Sequence, residues 1–384
     1  MQASSSIQQH DSIMIALGNA IHEARSAIQV DPQWILVFVS GPECEDRAEA
    51  ILENLRKSCP EARIFGGIAD GLIGTAKESE NRTCASVLMI AGLSAPPKIF
   101  HMECAETPDG WSVFGIDDEV HRLATACGGL LTIACPQTFS AEMLYDSLES
   151  IATEGEAPVT VFGGNLSHSP WSNPATMFFD DQVVRGGAIG LIMPREVVWS
   201  TLVSQGCRPI GDPMVITEMH DNTIVSLGGK PALERLRDTF QDLATHERAM
   251  AMRLLLLGRA ISEFSNSFSH GEFLIRNITG IDQEARSIHV AGRFQVGQTE
   301  LLAQAFKSGL MPRASMLFSC NGRGQRMFSS SHHDAATLEE YFHRLPCAGF
   351  LAAGEFGPVD RMNFVHGFTA VVAFLSERGN RELD

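Results

Sequence analysis

The chain has 384 residues, of which 44% are hydrophobic and 20% are charged, the composition of a globular protein large enough for two cores. Its formal net charge is −17 and its 29 Lys and Arg residues form no basic block, which excludes a nucleic-acid surface and an anionic membrane as partners. Nine cysteines without CxxC spacing, and an N-terminus without an apolar signal segment, predict a cytoplasmic protein with reduced thiols and no metal site.

The first predicted element is an amphipathic helix from Asp11 to Ile28, whose apolar residues recur at helical spacing. We expect it to pack on the first domain as an N-terminal element spanning residues 1–29. A β-prone run from Trp34 to Val39 predicts a strand, and Cys44 to Lys57 is again helical. The next strand closes on Phe65-Gly66-Gly67, where the paired glycines predict a structural turn.

The order strand, helix, strand recurs twice more along the chain. The second copy runs from a strand at Gly129 to Phe162-Gly163-Gly164, and the third runs from Ser315 to Phe350. Each copy ends in a further apolar strand, at residues 85–91, 188–193 and 368–375. We therefore predict a strand–helix–strand–strand unit used three times. One unit cannot bury both faces of its sheet, so the copies should pack side by side in the mixed sheets of an α/β and α+β fold.

The character of the sequence changes between the second and third copies. A hairpin is predicted around His220-Asp221-Asn222, and a long helix is predicted from Ala232 to about Leu257. We place a domain boundary near residue 229, which divides the chain into domains at 30–229 and 230–384.

The most informative stretch runs from Phe318 to Gly324, where an apolar strand enters a glycine-rich turn that contains Cys320 and Arg323. Thirty residues after Gly324, the segment Gly354–Pro358 places the carboxylate of Glu355 inside an apolar sequence. A thiol, a guanidinium and a carboxylate on loops at a sheet edge are groups from which a ligand site can be built. Each also has an ordinary structural role, Cys320 as a small buried residue and Arg323 as a salt-bridge partner of Glu355.

The sequence resembles the FIST family through motifs in both halves of the chain. In the first half these are Ile64–Gly67, Val161–Gly164, Asp180–Ala188, Gly206–Gly211 and Pro231–Leu233. In the second half they are Phe273–Asn277, Phe318–Gly324 and Gly354–Pro358, of which the last two are the most specific. The resemblance covers residues 30 to 375, and it implies an N-terminal FIST domain joined to a C-terminal FIST domain.

The resemblance also implies a function. It is that of a sensory protein of bacterial signalling that binds a small ligand, and not that of a catalyst. Proteins of this family are often encoded beside histidine kinases or cyclic-dinucleotide enzymes, which are therefore the expected partners. One branch of the family is a haem-bearing nitric oxide sensor. Distant relatives among eukaryotic F-box proteins make a protein–protein adaptor without a ligand a further alternative.

The predicted ligand is amino-acid-like or another anionic metabolite. The residues predicted to bind it are Cys320, Asn321, Gly322, Arg323, Gly324, Gly354, Glu355 and Arg276. In this hypothesis Arg323 and the amides of the turn hold an anionic group, Glu355 holds a donor, and Cys320 lines the wall. Arg276 interrupts an apolar strand, and its alternative role is to face solvent. No catalytic residue is expected, because the chain carries no P-loop, zinc-protease or Rossmann motif.

Two other chemistries are compatible with the residues. A non-covalent haem b requires a histidine in apolar surroundings, for which His366 is the candidate, although a structural histidine is the ordinary alternative. The order Cys320, Glu355, His366 is that of an α/β-hydrolase, but Phe318 stands where the nucleophile turn of that fold needs glycine. The sequence therefore favours a sensor without a cofactor.

Overall fold

The computed structural model describes residues 1–108, 110–152, 158–167, 174–205, 210, 212–243, 248, 256–260, 273–290, 312–328, 330–359 and 362–378. Contacts divide the chain into two compact units. The first comprises Met1–Val203, Phe306–Val365 and Thr369–Asp384, and the second comprises Ser204–Ala305 and His366–Phe368. The third sequence repeat therefore lies in the same unit as the first two. The domain boundary near residue 229 stays a prediction from the sequence.

The helices of the described residues are α1 (Ile13–Ser26), α2 (Ala48–Ser58), α3 (Asp118–Cys127), α4 (Ala141–Ile151), α5 (Ala232–Asp242), α6 (Gly324–Met327) and α7 (His333–Phe342). The strands of the first part are β1 (Gln2–Gln9), β2 (Trp34–Ser40), β3 (Arg63–Ile68), β4 (Gly71–Gly74), β5 (Lys77–Glu80), β6 (Cys84–Ala91), β7 (Lys98–Thr107), β8 (Gly110–Phe114), β9 (Leu130–Ala134), β10 (Val161–Leu166), β11 (Thr176–Phe179), β12 (Gln182–Arg185) and β13 (Ala188–Ile192). The strands that follow are β14 (Val197–Gln205), β15 (Ile216–His220), β16 (Thr223–Leu227), β17 (Lys230–Pro231), β18 (Leu256–Ala260), β19 (Phe273–Asp282), β20 (Ser287–Val290), β21 (Ala314–Cys320), β22 (Cys347–Val359), β23 (Met362–His366) and β24 (Thr369–Glu377). None of these helices is both long and apolar enough to cross a bilayer.

The described strands form three sheets. The first has the order β1-β6-β2-β3-β11-β12. The second has the order β14-β24-β21-β22-β10-β9-β13-β7-β8, with β23 and β4 also pairing with β22, and β5 with β4. The third has the order β15-β16-β20-β19-β18, with β17 on β16, and belongs to the second unit.

The predicted repeat is present three times with the same local topology. In the first copy β2 pairs parallel with β3 and antiparallel with β6. In the second copy β9 pairs in the same two ways with β10 and β13, and in the third copy β21 does so with β22 and β24. The second and third copies join through the antiparallel pair β10 and β22, whereas the first copy lies in the first sheet. The prediction of repeated units in mixed sheets is confirmed.

The first and second sheets pack face to face within the first unit. Their shared core contains Trp34 and Phe38 from the first sheet and Phe318 and Phe350 from the second. The ring centroids of Phe38 and Phe350 are 4.8 Å apart. Helices α1 and α2 cover the other face of the first sheet, while α3, α4 and α7 cover parts of the second. Because both faces are covered, strands such as β2 and β6 are buried at every residue.

One glycine in each repeat lies where the second strand of the unit passes closest to the first. A Cβ on Gly66 would lie 1.7 Å from the carbonyl oxygen of Val37, and a Cβ on Gly163 would lie 1.9 Å from that of Thr132. Gly66 and Gly163 also have φ angles of 156° and 133°, which side-chain-bearing residues rarely adopt. A larger residue is therefore excluded twice, by space and by backbone conformation.

The third repeat obeys the same rule at Gly349, whose added Cβ would lie 1.8 Å from the carbonyl oxygen of Leu317. All three glycines lie inside strands. The prediction that the paired glycines form a turn is therefore wrong. The close approach of a neighbouring backbone, and not a reversal of the chain, requires glycine at these positions.

Two element predictions also differ from the structure. Residues 1–29 hold β1 as well as α1, because β1 pairs with β6, although its Ser- and Gln-rich sequence lacks the apolar alternation that predicts a strand. The helix predicted from Ala232 to Leu257 ends at Asp242, and Leu256–Ala260 is a strand that pairs with β19. A run of leucines is compatible with a helix or a strand, and the pairing with β19 determines that this segment is a strand. The hairpin predicted around His220-Asp221-Asn222 is confirmed by the pairing of β15 and β16.

We expect Gly163→Ala to destabilise the protein by roughly 3 kcal/mol or more, because the new methyl group meets the Thr132 carbonyl in a strained backbone conformation. The matched control is Gly18→Ala in α1, where a Cβ meets nothing within 4 Å. That change should stabilise the protein by about 0.5–1 kcal/mol. Urea unfolding followed by circular dichroism measures both effects, and equal midpoints for the two variants would contradict this account.

Candidate functional site

The first strand of the third repeat ends in a tight turn at the sheet edge. Cys320 is the last residue of β21, and it pairs with Ala352 of β22. The amide of Asn321 donates a hydrogen bond to the carbonyl oxygen of Ala352 (2.8 Å), and the amide of Arg323 donates one to that of Cys320 (2.9 Å). Gly324 follows with a φ angle of 51°, a conformation that favours glycine. The predicted glycine-rich turn is therefore present.

Glu355 brings a carboxyl group to the same turn. Its side chain is fully buried, and its Oε2 accepts hydrogen bonds from the hydroxyl (2.7 Å) and the amide (3.3 Å) of Thr369. The thiol of Cys320 is hydrogen-bonded to the same carboxyl group. The other oxygen, Oε1, accepts no hydrogen bond from a nitrogen or oxygen donor of the described residues. A buried carboxyl with such an oxygen is costly unless it is neutral or meets a further partner.

Burial raises the pKa of Glu355 to about 8. The loss of water around the carboxylate outweighs the hydrogen bonds of Thr369 and Cys320 and the positive charge of Arg323, all of which lower the pKa. At neutral pH the group is mostly a carboxylic acid, which donates a hydrogen bond as well as accepting one. The structure thus brings the predicted thiol and carboxyl into contact, with the predicted guanidinium near enough to act on the carboxyl through its charge.

The repeated scaffold accounts for the position of Cys320. In each repeat, one residue of the first strand pairs with the close-approach glycine of the second strand. The residue three positions after that partner is Ser40 in the first repeat, Cys135 in the second and Cys320 in the third. All three side chains are buried. A small buried residue is therefore what each repeat places at this strand end, which supports the ordinary structural role of Cys320. The carboxyl of Glu355 is the feature that this scaffold rule leaves unexplained.

Arg323 has a different partner from the one expected. Its Nε donates to Oδ2 of Asp334 (2.9 Å) and its Nη2 donates to Oδ1 (2.6 Å), the bidentate geometry that favours arginine over lysine. The hydroxyl of Ser319 donates to the same Oδ2 (2.5 Å), and the guanidinium carbon lies 5.0 Å from the centroid of the Phe328 ring. The structural alternative for Arg323, a salt bridge, is therefore present, and the acid that Arg323 pairs with in this bidentate geometry is Asp334.

Asp334 ties this ion pair to helix α7. Burial alone would raise the pKa of Asp334, but the hydrogen bond and charge of Arg323, together with the Ser319 hydroxyl, hold it below its usual value. Oε1 of Glu78, on β5, accepts hydrogen bonds from the amides of Asp334 and Ala335, both at 2.9 Å. Burial raises the pKa of the Glu78 carboxyl. The turn, the first turn of α7 and the hairpin of β4 and β5 are therefore one connected polar unit.

Two of the remaining predicted residues, both glycines, lie beside the cluster, whereas Arg276 and His366 belong to the second unit. Gly322 lies in the turn, and Gly354 has a φ angle of 128° beside Glu355. Arg276 lies on β19 in the second unit, where its Nη1 donates to the carbonyl oxygen of Ile275 (3.0 Å). His366 is buried and groups with the second unit. The cluster described above consists of residues of the first unit alone.

Three residues outside the predicted binding set hold the cluster together, namely Thr369, Asp334 and Ser319, of which Ser319 lies within the motif Phe318–Gly324. Asp334 has a sequence signal, since acidic residues are common in the first turn of a helix and Asp334 lies in the first turn of α7. Thr369 has none, because a hydroxyl residue at the start of a strand is ordinary.

The described residues contain no group of three or more His, Cys, Asp or Glu side chains that could hold a metal ion. For a haem group, His366 meets one requirement, since only 2% of it is exposed and an axial ligand must be withdrawn from water. Of the family-like segment 206–211, all but residue 210 lies outside the described residues.

Known sequence families match most of the chain. The FIST N domain model matches residues 33–230 and the FIST C domain model matches residues 232–358, so that the second range includes Cys320, Arg323 and Glu355. The uncharacterized protein Rv0628c of Mycobacterium tuberculosis (strain ATCC 25618 / H37Rv) is 31% identical over 378 residues, covering 93% of this chain and 95% of that protein. The uncharacterized protein Mb0898c of Mycobacterium bovis (strain ATCC BAA-935 / AF2122/97) is 32% identical over 375 residues, covering 92% and 93% respectively.

Removing the acid of the buried ion pair should be strongly destabilising. We expect Asp334→Asn to lower the free energy of unfolding by roughly 3–5 kcal/mol, because Arg323 is left charged and buried. The double change Arg323→Met with Asp334→Leu should cost less than the single one, since no buried charge remains. Glu53→Gln, which breaks the exposed pair with Lys57, is the control and should leave the urea midpoint unchanged. An equally small effect of Asp334→Asn would show that the pair is not buried as described.

Glu355 should make stability depend on pH in a defined direction. In the unfolded chain the carboxyl has its ordinary pKa of 4.5, whereas folding raises the pKa to about 8. Between these values the unfolded state is ionised and the folded state holds the proton. Wild-type stability should therefore fall with rising pH, by up to about 1.4 kcal/mol per pH unit.

The variant Glu355→Gln lacks this proton, so its stability should not share this loss. The unfolding free energy of the variant minus that of the wild type should therefore increase from pH 5 to pH 8, by an amount on the order of a few kcal/mol. Urea unfolding at both pH values measures the gain. Glu340→Gln, at an exposed position of α7, is the control and should show no such gain. A constant difference between the wild type and Glu355→Gln across this range would refute the raised pKa.

Proposed function

The chain belongs to the FIST family, whose domains are associated with sensory signal transduction and small-ligand binding, and we propose that it is a cytoplasmic sensory protein that binds an amino-acid-like or other anionic metabolite beside Glu355. The observation that carries the proposal is the fully buried carboxyl of Glu355, whose Oε1 accepts no hydrogen bond from a nitrogen or oxygen donor of the described residues. Groups of this kind cost stability, and they are concentrated at functional sites.

The groups around Glu355 suit the two ends of an amino acid. The amides of Asn321 and Arg323 are engaged within the turn, and the Glu80 carboxylate already accepts a hydrogen bond from the amide of Gln325, beside Gly324. The proposal therefore assigns the amide of Gly322 to a ligand carboxylate. Glu355 receives the ammonium group, and Cys320 lines the wall. Because Nε and Nη2 of Arg323 already donate to Asp334, Arg323 attracts the ligand carboxylate through its positive charge and not through a bidentate hydrogen bond. An anionic ligand without an amine would instead accept a hydrogen bond from the protonated Glu355.

Ligand entry requires movement of the turn, because the cluster is buried. Arg323 belongs to that turn and is bonded to Asp334 at the start of α7. Displacing the turn therefore changes the support of the helix, and we propose that a histidine kinase or cyclic-dinucleotide enzyme detects this change. The eight described cysteines that carry free thiols support a reducing, cytoplasmic setting.

Proton release distinguishes the two ligand classes. At pH 7 the Glu355 carboxyl is mostly protonated, since its pKa is about 8, and an ammonium group favours the ionised form. Binding of an amino acid should therefore release nearly one proton per site, whereas binding of the corresponding hydroxy acid should release none. The measurement is calorimetric titration in two buffers of different ionisation enthalpy, with probes chosen by a thermal-shift screen of the proteinogenic amino acids and their 2-hydroxy analogues.

The control is the variant Glu355→Gln, which keeps the shape of the side chain but has no proton to release. It should abolish proton release and weaken amino-acid binding more than hydroxy-acid binding. Arg323→Ala is unsuitable for this purpose, because it breaks a buried ion pair. A screen in which none of these probes stabilises the protein would contradict the proposal and favour the adaptor alternative. So would binding with an unchanged proton count in Glu355→Gln.

Haem binding is the second candidate, and the burial of His366 is the observation that favours it. The absorption spectrum of the purified protein decides this point. A Soret band that is lost in His366→Ala would establish a haem sensor, and haem added to colourless protein without a shifted band would exclude one.

A further inference from the structure

A cleft lies at the end of β21 opposite to the turn at Cys320. It is a cleft of about 710 Å³ between the start of β1, the segment after α1, the residues before β21 and the segment that joins α7 to β22. All of its lining residues belong to the first unit. Arg313 precedes β21, whereas Cys320 ends it, so the length of one strand, about 20 Å, separates the cleft from the cluster around Glu355. The cleft is therefore independent of the proposed sensory site.

The lining of this cleft is cationic although the chain is acidic. Arg313, His343 and Arg344 line it, and none of the lining residues is Asp or Glu. The whole chain has 46 acidic residues against 29 Lys and Arg, so a lining with cations and without acids runs against the overall composition. Arginine side chains that converge on one cleft are a feature of sites for anions.

The cations of the cleft are only weakly neutralised. Arg313 is within 3.5 Å of Glu377, and its side chain is 60% exposed. The Arg344 side chain forms no ion pair within the part of the chain that the structure describes, although the Glu339 carboxylate accepts a hydrogen bond from the Arg344 backbone amide (2.9 Å). Arg344 also has a φ angle of 57°, a conformation that costs about 1 kcal/mol or more outside glycine and asparagine. The backbone thus holds Arg344 at the cleft at an energetic cost.

Two further features define the ligand class. Tyr341 lies at the cleft with 77% of its surface exposed, which offers an aromatic face for stacking on a planar ring. Helices α1 and α7 end at the cleft, at Ala27 and His343, and the negative ends of their dipoles repel an anion unless the arginines offset them. Binding of an anion here must therefore depend on the two arginines.

We propose that this cleft binds a phosphorylated metabolite with a planar ring, of about the size of a nucleotide. The volume of 710 Å³ lies within the range of small-molecule sites, roughly 300–1,000 Å³. Arg313 and Arg344 hold the phosphate groups, and Tyr341 stacks on the ring. His343 adds a hydrogen-bond donor.

Three probes separate charge from stacking, namely ADP, pyrophosphate and adenosine. ADP carries both features, pyrophosphate carries only the charge, and adenosine carries only the ring. We expect ADP to bind most tightly in isothermal titration, pyrophosphate less tightly, and adenosine weakest. ADP affinity should fall as salt rises, because exposed charges are screened. Adenosine that binds as tightly as ADP, or ADP that shows no heat and no thermal stabilisation at millimolar concentration, would overturn the proposal.

The variants are chosen to keep the backbone intact. Arg344→Asn removes the charge and retains a residue that tolerates positive φ, and Arg313→Gln removes the other charge independently. Each should weaken ADP by about tenfold, and the pair by more, as expected for loss of a charge-assisted hydrogen bond. Arg47→Gln, in the exposed pair with Glu43, is the matched control and should leave ADP affinity unchanged. Equal ADP affinity in the Arg313→Gln/Arg344→Asn double variant and the wild type would refute the assignment.

Discussion

The close approach of two neighbouring backbones at Gly66, Gly163 and Gly349 is the constraint on which the rest of the structure depends. Each glycine lets the second strand of a repeat lie beside the carbonyl oxygen of the first, which fixes the register of the parallel pair. Fixed register sets where each first strand ends and where the loop after it begins. The turn at Cys320 is one such loop. The same rule in three units supports duplication of an ancestral strand–helix–strand–strand element.

The third repeat differs from the other two in the ionisable side chains that it buries. The second sheet closes over the carboxyl of Glu355, and Thr369 satisfies one of its oxygens. In the turn after Cys320, Arg323 forms a buried ion pair with Asp334 of α7. One carboxyl is therefore kept neutral by burial, while the other is kept ionised by a guanidinium. The proposed sensing mechanism rests on this division between a protonated Glu355 and an ionised Asp334.

The sequence supports the repeat, its mixed sheets and the convergence of Cys320 with Glu355, because apolar runs, glycines and strand order depend on local pattern. It does not reveal the partner of Arg323, since the choice between Glu355 and Asp334 depends on which face of the sheet each side chain takes. Nor does it reveal β1, whose polar residues become a strand only through pairing with β6. Features that depend on local sequence pattern could thus be predicted, whereas contacts between distant segments could be identified only from the three-dimensional structure.

A pH titration of the Glu355 carboxyl carbon by NMR, with Glu355→Gln used to assign the signal, measures the protonation state of this group directly. The account predicts a group that is still protonated at pH 7 and titrates near pH 8, and that ionises at pH 7 when an amino-acid ligand saturates the site. A carboxyl that titrates near its ordinary value of 4.5 would mean that Glu355 is solvated or paired, and would contradict the proposed mechanism of sensing.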